Sequence, residues 1–194
     1  MAASRVAIKL GILAEDASDV DVLSILLSKI DPKRVFSVRK FIGHGCGKLR
    51  HKCQSWAEQL AREGCGVVIL LHDRDREDVQ QLRATLEANF LPCPVKKHLI
   101  VIPVEELEAW LLSDQKALRA AFNLKKEPKC PNNPETVKSP KEKLAELIWR
   151  ASGKNKRYIN TIHNSRIAAH LQISTLRKCA AFRPLEGFWK GLTN

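Results

Sequence analysis

The sequence lacks any apolar run long enough to cross a membrane. A transmembrane helix needs roughly 18 consecutive apolar residues, and no stretch of this 194-residue chain approaches that length. The first nine residues also lack the apolar segment and small-residue cleavage site of a secretion signal. We therefore expect a cytoplasmic protein that does not associate with a membrane.

Close cysteine pairs are absent as well. The six cysteines, at positions 46, 53, 65, 93, 130 and 179, include no Cys-x-x-Cys pair. Most structural zinc sites are recognised by such pairs, so we do not expect one here. A reducing compartment would keep all six cysteines as thiols.

Two signatures of other activities are also missing. The loop at residues 43–48 contains three glycines but not the spacing of a P-loop, so we do not expect it to bind ATP. Tyr158 is the only tyrosine, and we expect it at the surface rather than as the covalent nucleophile of a topoisomerase. Cys46 and His44 form a poor nucleophile–base pair, because nothing in the sequence orients them.

Charge is unevenly distributed along the chain. Residues 1–115 carry 16 Lys/Arg and 16 Asp/Glu, whereas residues 116–194 carry 17 Lys/Arg and only 5 Asp/Glu. The second region therefore holds the whole formal net charge of +12. This division favours a neutral metal-binding catalytic domain with clustered carboxylates at 1–115 and a basic, mainly helical region at 116–194 that contacts a polyanion such as nucleic acid. The alternative is a basic surface that only aids solubility.

Strand and helix patterns alternate along the first region. Short apolar runs predict strands at residues 5–14, 34–42, 66–71 and 95–103. Amphipathic segments predict helices at residues 18–30, 49–63, 77–89 and 104–113, and basic helices at 141–151 and 167–190. This order predicts an α/β fold with a central, mainly parallel four-stranded sheet flanked by helices.

Acidic residues follow three of the four predicted strands. Glu15 follows the first strand, Asp73 and Asp75 follow the third, and a Glu105, Glu106 and Glu108 group follows the fourth. Parallel sheets bind ligands at the carboxyl ends of their strands, so these acids are expected at one edge. Carboxylate oxygens suit Mg²⁺ or Mn²⁺. The sequence therefore predicts a metal site formed by Glu15, Asp73 and Asp75, with Glu106 or Glu108 as further catalytic acids.

Several basic side chains are candidates for phosphate contacts. Lys48 lies in the glycine-bearing loop, and the basic region adds a cluster of cations. The predicted nucleic-acid contacts are Lys48, Lys141, Lys143, Lys156 and Arg157. Such contacts bind backbone phosphates without reading the base sequence.

The order of these motifs resembles the Toprim fold, in which a Glu follows the first strand and an Asp-x-Asp follows a later one. The segments LAEDASDVDVL, ILLHDRDRED, VIPVEELEAWLLSD, NNPETVKSPKEKL and CAAFRPLEGFW together resemble small stand-alone bacterial OLD-like Toprim proteins of uncharacterised function, often found near phage-defence genes. The resemblance implies Glu15, Asp73 and Asp75 as metal-site residues, Glu106 or Glu108 as added acids, and Lys143 as a phosphate contact. Asp16 departs from the Gly common after the first Glu.

These observations lead to a Mg²⁺-dependent nuclease as the main hypothesis. The carboxylates would hold the metal, and the basic region would hold nucleic acid, with DNA favoured over RNA; the resemblance implies a role in anti-phage defence. An alternative is a non-catalytic nucleic-acid-binding subunit that works with a partner ATPase, which the departure at Asp16 keeps open. A third hypothesis is nucleotidyl transfer, although the chain is short for the extra template and nucleotide sites.

Overall fold

The computed structural model describes residues 7–192. The predicted start of the first strand at Arg5 lies outside the described residues. Four parallel strands form one sheet in the order β2-β1-β3-β4. They are β1 (Ile8–Ala14), β2 (Phe36–Ile42), β3 (Val67–Leu71) and β4 (Lys97–Val101). The predicted α/β fold with a four-stranded parallel sheet is confirmed.

Helices connect the strands and extend beyond the last one. In chain order they are α1 (Ala17–Ile30), α2 (Cys46–Arg62), α3 (Val79–Phe90), α4 (Glu108–Leu111), α5 (Gln115–Phe122), α6 (Pro140–Ala151), α7 (Asn160–His170), α8 (Ile173–Leu176) and α9 (Arg183–Gly191). Short 3₁₀ turns lie at Pro134–Thr136 and Ala180–Phe182. Within residues 7–192, no helix combines the length and apolar character that crossing a bilayer requires.

Helix α1 begins at Ala17, one residue before its predicted start, and Asp16 is its N-cap. The side chain of Asp16 accepts from the Ser18 N–H (2.8 Å), and the side chain of Asp19 accepts from the Asp16 N–H (3.0 Å), which completes a capping box. Asp16 has an extended backbone conformation, with φ −127°. A glycine is therefore not needed at this position, and Asp16 stabilises the helix that follows Glu15.

Two predictions about helices are wrong. A single helix was expected at residues 167–190, but α7 ends at His170 because the Asp114 carboxylate accepts from the Gln172 N–H (3.2 Å) outside the helix. A helix was also expected from residue 104, but Glu105 has a left-handed backbone (φ 61°) and α4 begins only at Glu108. Glu105 and Glu108 therefore do not share a helix face.

Both faces of the sheet are buried at its central strand β3. Every residue of β3 is buried, and alternate side chains enter opposite clusters, with Val68 and Leu70 on the α2–α3 side and Ile69 on the other. Helix α2 packs so closely on β1 that a Cβ at Gly11 would come within 2.6 Å of the Leu60 side chain. The strand ends are consequently held in fixed relative positions.

The basic region packs on the sheet through α1. Lys29 on α1 donates to the carbonyls of Ala169 (2.6 Å) and Leu171 (2.9 Å) at the end of α7. Arg34 lies over the Trp189 ring of α9, 5.1 Å from its centroid. Side chains from both sides of the predicted boundary at 115/116 share one hydrophobic cluster, and the division into two domains stays a prediction.

Candidate metal centre

The site forms at the carboxyl edge of the sheet. Glu15 follows the end of β1, and His72 and Asp73 follow the end of β3, its neighbour in the sheet. The backbone after β2 reaches the same edge, because the His44 N–H donates to the Glu15 carbonyl (3.0 Å). Parallel pairing therefore places residues from distant parts of the sequence on one rim, as predicted.

Glu15 offers a buried oxygen atom on this rim. Its Oε1 atom is buried and has no hydrogen-bond partner within the described residues. Burial, and then the negative charge of Asp75, raise the Glu15 pKa to about 7, although the Asp73 N–H acts in the opposite direction. A buried acceptor without a partner is costly, so this oxygen is suited to a ligand.

Three donor atoms converge beside Glu15. Carboxylate oxygens of Glu15 and Asp75 and the sulfur of Cys46 all lie within 4.8 Å of one another. Two of these residues belong to the predicted metal set, whereas Cys46 was not predicted as a ligand. Cys46 starts α2, whose N-cap is Gly45 without a side-chain capping bond. The predicted start of α2 at residue 49 had left Cys46 in a loop.

Asp73 lies at the centre of a wider group of carboxylates. Its Oδ1 atom accepts from the Leu107 N–H (3.0 Å), which joins the end of β3 to the segment after β4. Burial raises the Asp73 pKa well above its ordinary value, and four negative charges add to the shift, in decreasing order Asp19, Glu108, Glu15 and Asp75. Acids from three separate parts of the chain therefore meet within electrostatic range of one another.

The turn that carries Asp75 has an unusual backbone. Asp75 (φ 50°) and Arg76 (φ 65°) are consecutive non-glycine residues in the left-handed region, which costs energy and is common at functional sites. Glu105 stabilises this turn: its carbonyl accepts from the Asp75 N–H (3.1 Å), and its carboxylate accepts from the Arg76 N–H (2.9 Å). Glu105 also pairs with Arg74 at 3.3 Å. Its role here is therefore to position Asp75.

Glu106 and Glu108 lie on the rim but have partners in the basic region. Glu106 accepts from the Lys141 N–H (2.8 Å) at the start of α6, and burial raises its pKa. Glu108 is buried and accepts from the Tyr158 hydroxyl (3.0 Å) and the Asn164 side-chain amide (3.1 Å). These bonds dock the basic region onto the acidic rim, and a direct catalytic role for either acid stays a prediction.

Tyr158 is not the surface residue expected from the sequence. Its ring is half-buried, and its hydroxyl also donates to Asn164. Burial, followed by the charge of Glu108, raises the Tyr158 pKa strongly. A phenol that is difficult to ionise is a poor nucleophile, and the expectation that Tyr158 is not a covalent nucleophile stays a prediction.

His72 and Arg50 form a hydrogen-bonded pair next to Glu15 and Asp73. His72 is fully buried, and Arg50 Nε donates to its Nε2 atom (2.9 Å). The ring proton therefore lies on Nδ1, which donates to the Asp73 carbonyl (2.6 Å) and lies 3.6 Å from Glu15 Oε1. Arg50 also pairs with Glu77. The pair connects Glu15 and Asp73 to the surface of α2.

Asp19 is the acid that the sequence analysis did not assign to the site. Burial, then the charge of Glu108, raise its pKa to about 7. The sequence signal was its place three residues after Asp16, the spacing of a capping box. Because that spacing already accounts for Asp19 as a residue at a helix start, it gave no indication that Asp19 also lies near Asp73.

Two of the predicted phosphate contacts lie beside the carboxylate rim, and the other three lie further along the basic region. Lys48 is exposed in the first turn of α2, near Cys46, and Lys141 begins α6 beside Glu106. Lys143 pairs with Glu146 (2.9 Å), and Lys156 donates to the carbonyls of Phe122 and Asn123. Arg157 is exposed. Their binding to nucleic acid stays a prediction.

Fold and site together define an α/β protein with a parallel sheet and a carboxylate-rich rim at its strand ends. The chain belongs to the family described as a domain of unknown function, DUF4276, which it matches over residues 14–188. That match includes Glu15, the Asp73–Asp75 turn and the basic helices. No curated protein and no solved structure matches the chain.

Proposed function

We propose that this protein is a divalent-metal-dependent phosphodiester hydrolase that acts on nucleic acid. The observation that carries the proposal is the meeting of Glu15, Asp19, Asp73, Asp75 and Glu108 around one rim, with a buried Glu15 oxygen that lacks a partner. Carboxylates this close repel one another unless a cation or protons are bound. The donors therefore fit a hard divalent cation such as Mg²⁺ or Mn²⁺.

Glu15 and Asp75 would hold the cation, with Cys46 beside them and Asp73 as a neighbouring carboxylate. Such an ion neutralises phosphate charge and lowers the pKa of a bound water. Without the cation, burial and the charge of Asp75 raise the Glu15 pKa to about 7, so binding of the cation would release a proton from this carboxyl group near neutral pH. Glu105 keeps Asp75 in its left-handed turn, and His72 fixes the backbone of Asp73.

The basic region supplies the other half of the proposal. Residues 116–194 carry 17 Lys/Arg against 5 Asp/Glu, and Glu106 and Glu108 attach this region directly to the acidic rim. A phosphate backbone bound to those cations would lie next to the carboxylates. The resemblance to OLD-like Toprim proteins supports a nuclease acting in bacterial anti-phage defence, with DNA favoured over RNA.

An assay with three substrates tests the proposal. Plasmid, single-stranded DNA and tRNA are incubated with the protein and Mg²⁺, Mn²⁺ or EDTA. We expect metal-dependent cutting that falls by about 100-fold in Asp75→Asn, because a metal donor is removed. Asp75 is exposed and Asn tolerates its backbone conformation, so the variant should fold. Glu58→Gln, an exposed carboxylate on α2, is the matched control.

A second candidate function is a non-catalytic nucleic-acid-binding subunit that works with a partner ATPase. Ile159 and Ile162 near the start of α7 are 46% and 51% exposed and would offer apolar contacts to such a partner. Salt-sensitive binding without cutting in any metal would support this candidate and overturn the hydrolase. Incorporation of labelled nucleotide would instead support nucleotidyl transfer.

A further inference from the structure

A basic cleft lies apart from the carboxylates, along α6. It has a volume of about 940 Å³ and is bounded by the segment after α5, one face of α6 and the turn that follows α6. Six cations line it, namely Lys125, Lys126, Lys129, Lys143, Arg150 and Lys156. Glu127 is the only carboxylate among the lining residues. Lys125, Lys126 and Lys129 were not among the predicted phosphate contacts.

Much of this positive charge is not neutralised by the protein. Glu127 already accepts from Gln115 (2.8 Å) and lies 3.9 Å from Arg119. Lys143 and Arg150 share a single carboxylate, Glu146. Within residues 7–192, the side chains of Lys125, Lys126 and Lys129 have no ion-pair or hydrogen-bond partner, and all three are exposed. The cleft therefore has several cations that an external polyanion can engage.

The interior of the cleft is not uniformly polar. Leu147 and Ala151, which are half-buried, contribute apolar surface between the cations, and the buried Leu124 and Pro128 also line the cleft. A double helix keeps its bases paired and presents phosphates outward, so it cannot use such a surface. A single strand exposes its bases, and grooves that bind single strands combine cations for the backbone with apolar or aromatic contacts for the bases. The cleft volume also suits a short segment of one strand rather than an enclosed duplex.

We propose that this cleft binds single-stranded nucleic acid, with Lys125, Lys126 and Lys129 on the phosphates and the apolar groups against the bases. Helix α6 links the cleft to the acidic rim: Lys143 and Arg150 face the cleft, while the Lys141 N–H contacts Glu106. A strand held along α6 would therefore continue toward the carboxylates. The proposal takes from the proposed function only that the ligand is nucleic acid.

Charge-reversal variants of the full-length protein test this cleft. One variant combines Lys125→Glu, Lys126→Glu and Lys129→Glu. Its control combines Lys40→Glu, Lys96→Glu and Lys178→Glu, which change three exposed lysines outside the cleft by the same net charge. Circular dichroism confirms that both fold. Binding of a labelled single-stranded DNA, its RNA equivalent and a hairpin duplex is measured by fluorescence anisotropy across a salt series, in EDTA.

We expect the cleft variant to bind single strands at least tenfold more weakly than the control variant. The slope of log affinity against log salt should fall by about 2, since each lost phosphate contact on a single strand contributes roughly 0.7. Duplex binding should change equally in both variants. Equal weakening of single-strand binding in both, or equal effects on duplex and single strand in the cleft variant, would overturn the proposal.

This outcome can be separated from the fate of the hydrolase. Cleft-dependent binding of single strands without any metal-dependent cutting would support the cleft and reject the hydrolase. If cutting requires Asp75 but both charge variants bind single strands with the same affinity, the hydrolase is supported and the cleft is rejected.

Discussion

At the scale of single residues, the site combines hard and soft donor atoms. Glu15 and Asp75 offer carboxylate oxygens, and Cys46 offers a sulfur within 4.8 Å of them. Carboxylates favour Mg²⁺ and Mn²⁺, whereas thiolates favour softer ions such as Zn²⁺ and, by the same preference, Co²⁺. The identity of residue 46 should therefore influence which ion the rim prefers.

Replacement of Cys46 by Ser is the direct test of this influence. We expect Cys46→Ser to weaken Co²⁺ binding by about 10-fold and to leave Mg²⁺ binding nearly unchanged, because only the soft ligand is lost. Isothermal titration gives both affinities. A sulfur-to-cobalt charge-transfer band in the near ultraviolet should be present in the wild-type protein and absent from the variant.

Cys93 provides the matched control for this test. It is half-buried like Cys46 but lies before β4, outside the converging donors. Cys93→Ser should keep the charge-transfer band and both affinities. A band that persists in Cys46→Ser, or one that disappears in Cys93→Ser, would show that Cys46 does not contact the ion.

At the scale of elements, the strands were easier to predict than the helix ends. The apolar runs that gave β1 and β3 are local features, and both strands lie within their predicted ranges. Their carboxyl ends placed Glu15, Asp73 and Asp75 correctly on one rim. Helix boundaries depend on less local contacts: α2 begins at Cys46 without a capping side chain, and α7 ends where Asp114 binds the Gln172 N–H.

The site and cleft residues that the sequence did not predict were missed for the same reason, namely that they depend on tertiary contacts. Asp19 is explained locally by its capping bond to Asp16, and only the tertiary fold brings it near Asp73 and Glu108. Lys125, Lys126 and Lys129 lie in a segment for which no helix or strand was predicted, and the cleft that they line exists only because α6 packs beside it. Sequence patterns cannot show contacts of this kind.

The contribution of Asp19, on helix α1, to the stability of the folded protein depends on pH. The Asp19 pKa is raised from 3.8 to about 7 by burial and by Glu108. The folded protein therefore holds a proton that the unfolded chain releases above pH 3.8, and stability is lost as the pH rises from 3.8 through 7. Asp19→Asn keeps an acceptor for the Asp16 N–H and removes the charge.

We therefore expect Asp19→Asn to raise the Tm at pH 8 by at least about 2 °C in EDTA, and to have little effect at pH 4. Thermal unfolding followed by circular dichroism at both pH values measures this. Asp21→Asn, at an exposed position of the same helix, is the control and should show no such difference. A uniform effect of Asp19→Asn at both pH values would contradict the assigned cause.

At the scale of the whole molecule, the acidic rim and the basic region oppose each other in charge and are joined by direct bonds. Glu106 and Glu108 receive hydrogen bonds from Lys141, Tyr158 and Asn164. Burial and neighbouring carboxylates disfavour the ionised forms of Glu15 and Asp73, which lie between strands that the fold holds in place. Without a cation, mutual repulsion on this rim lowers the stability of the entire chain.

Addition of Mn²⁺ should therefore stabilise the whole protein against heat. At a concentration 100 times the dissociation constant, a ligand that binds only the folded state adds about 2.7 kcal/mol, which raises the Tm of a chain of this size by roughly 5–10 °C. We expect this shift in the wild-type protein and in Glu58→Gln, and a much smaller one in Asp75→Asn. Calorimetry measures it, with NaCl at matched ionic strength to account for screening. An equal shift in Asp75→Asn, or an equal shift with NaCl alone, would show that the cation does not bind at this rim.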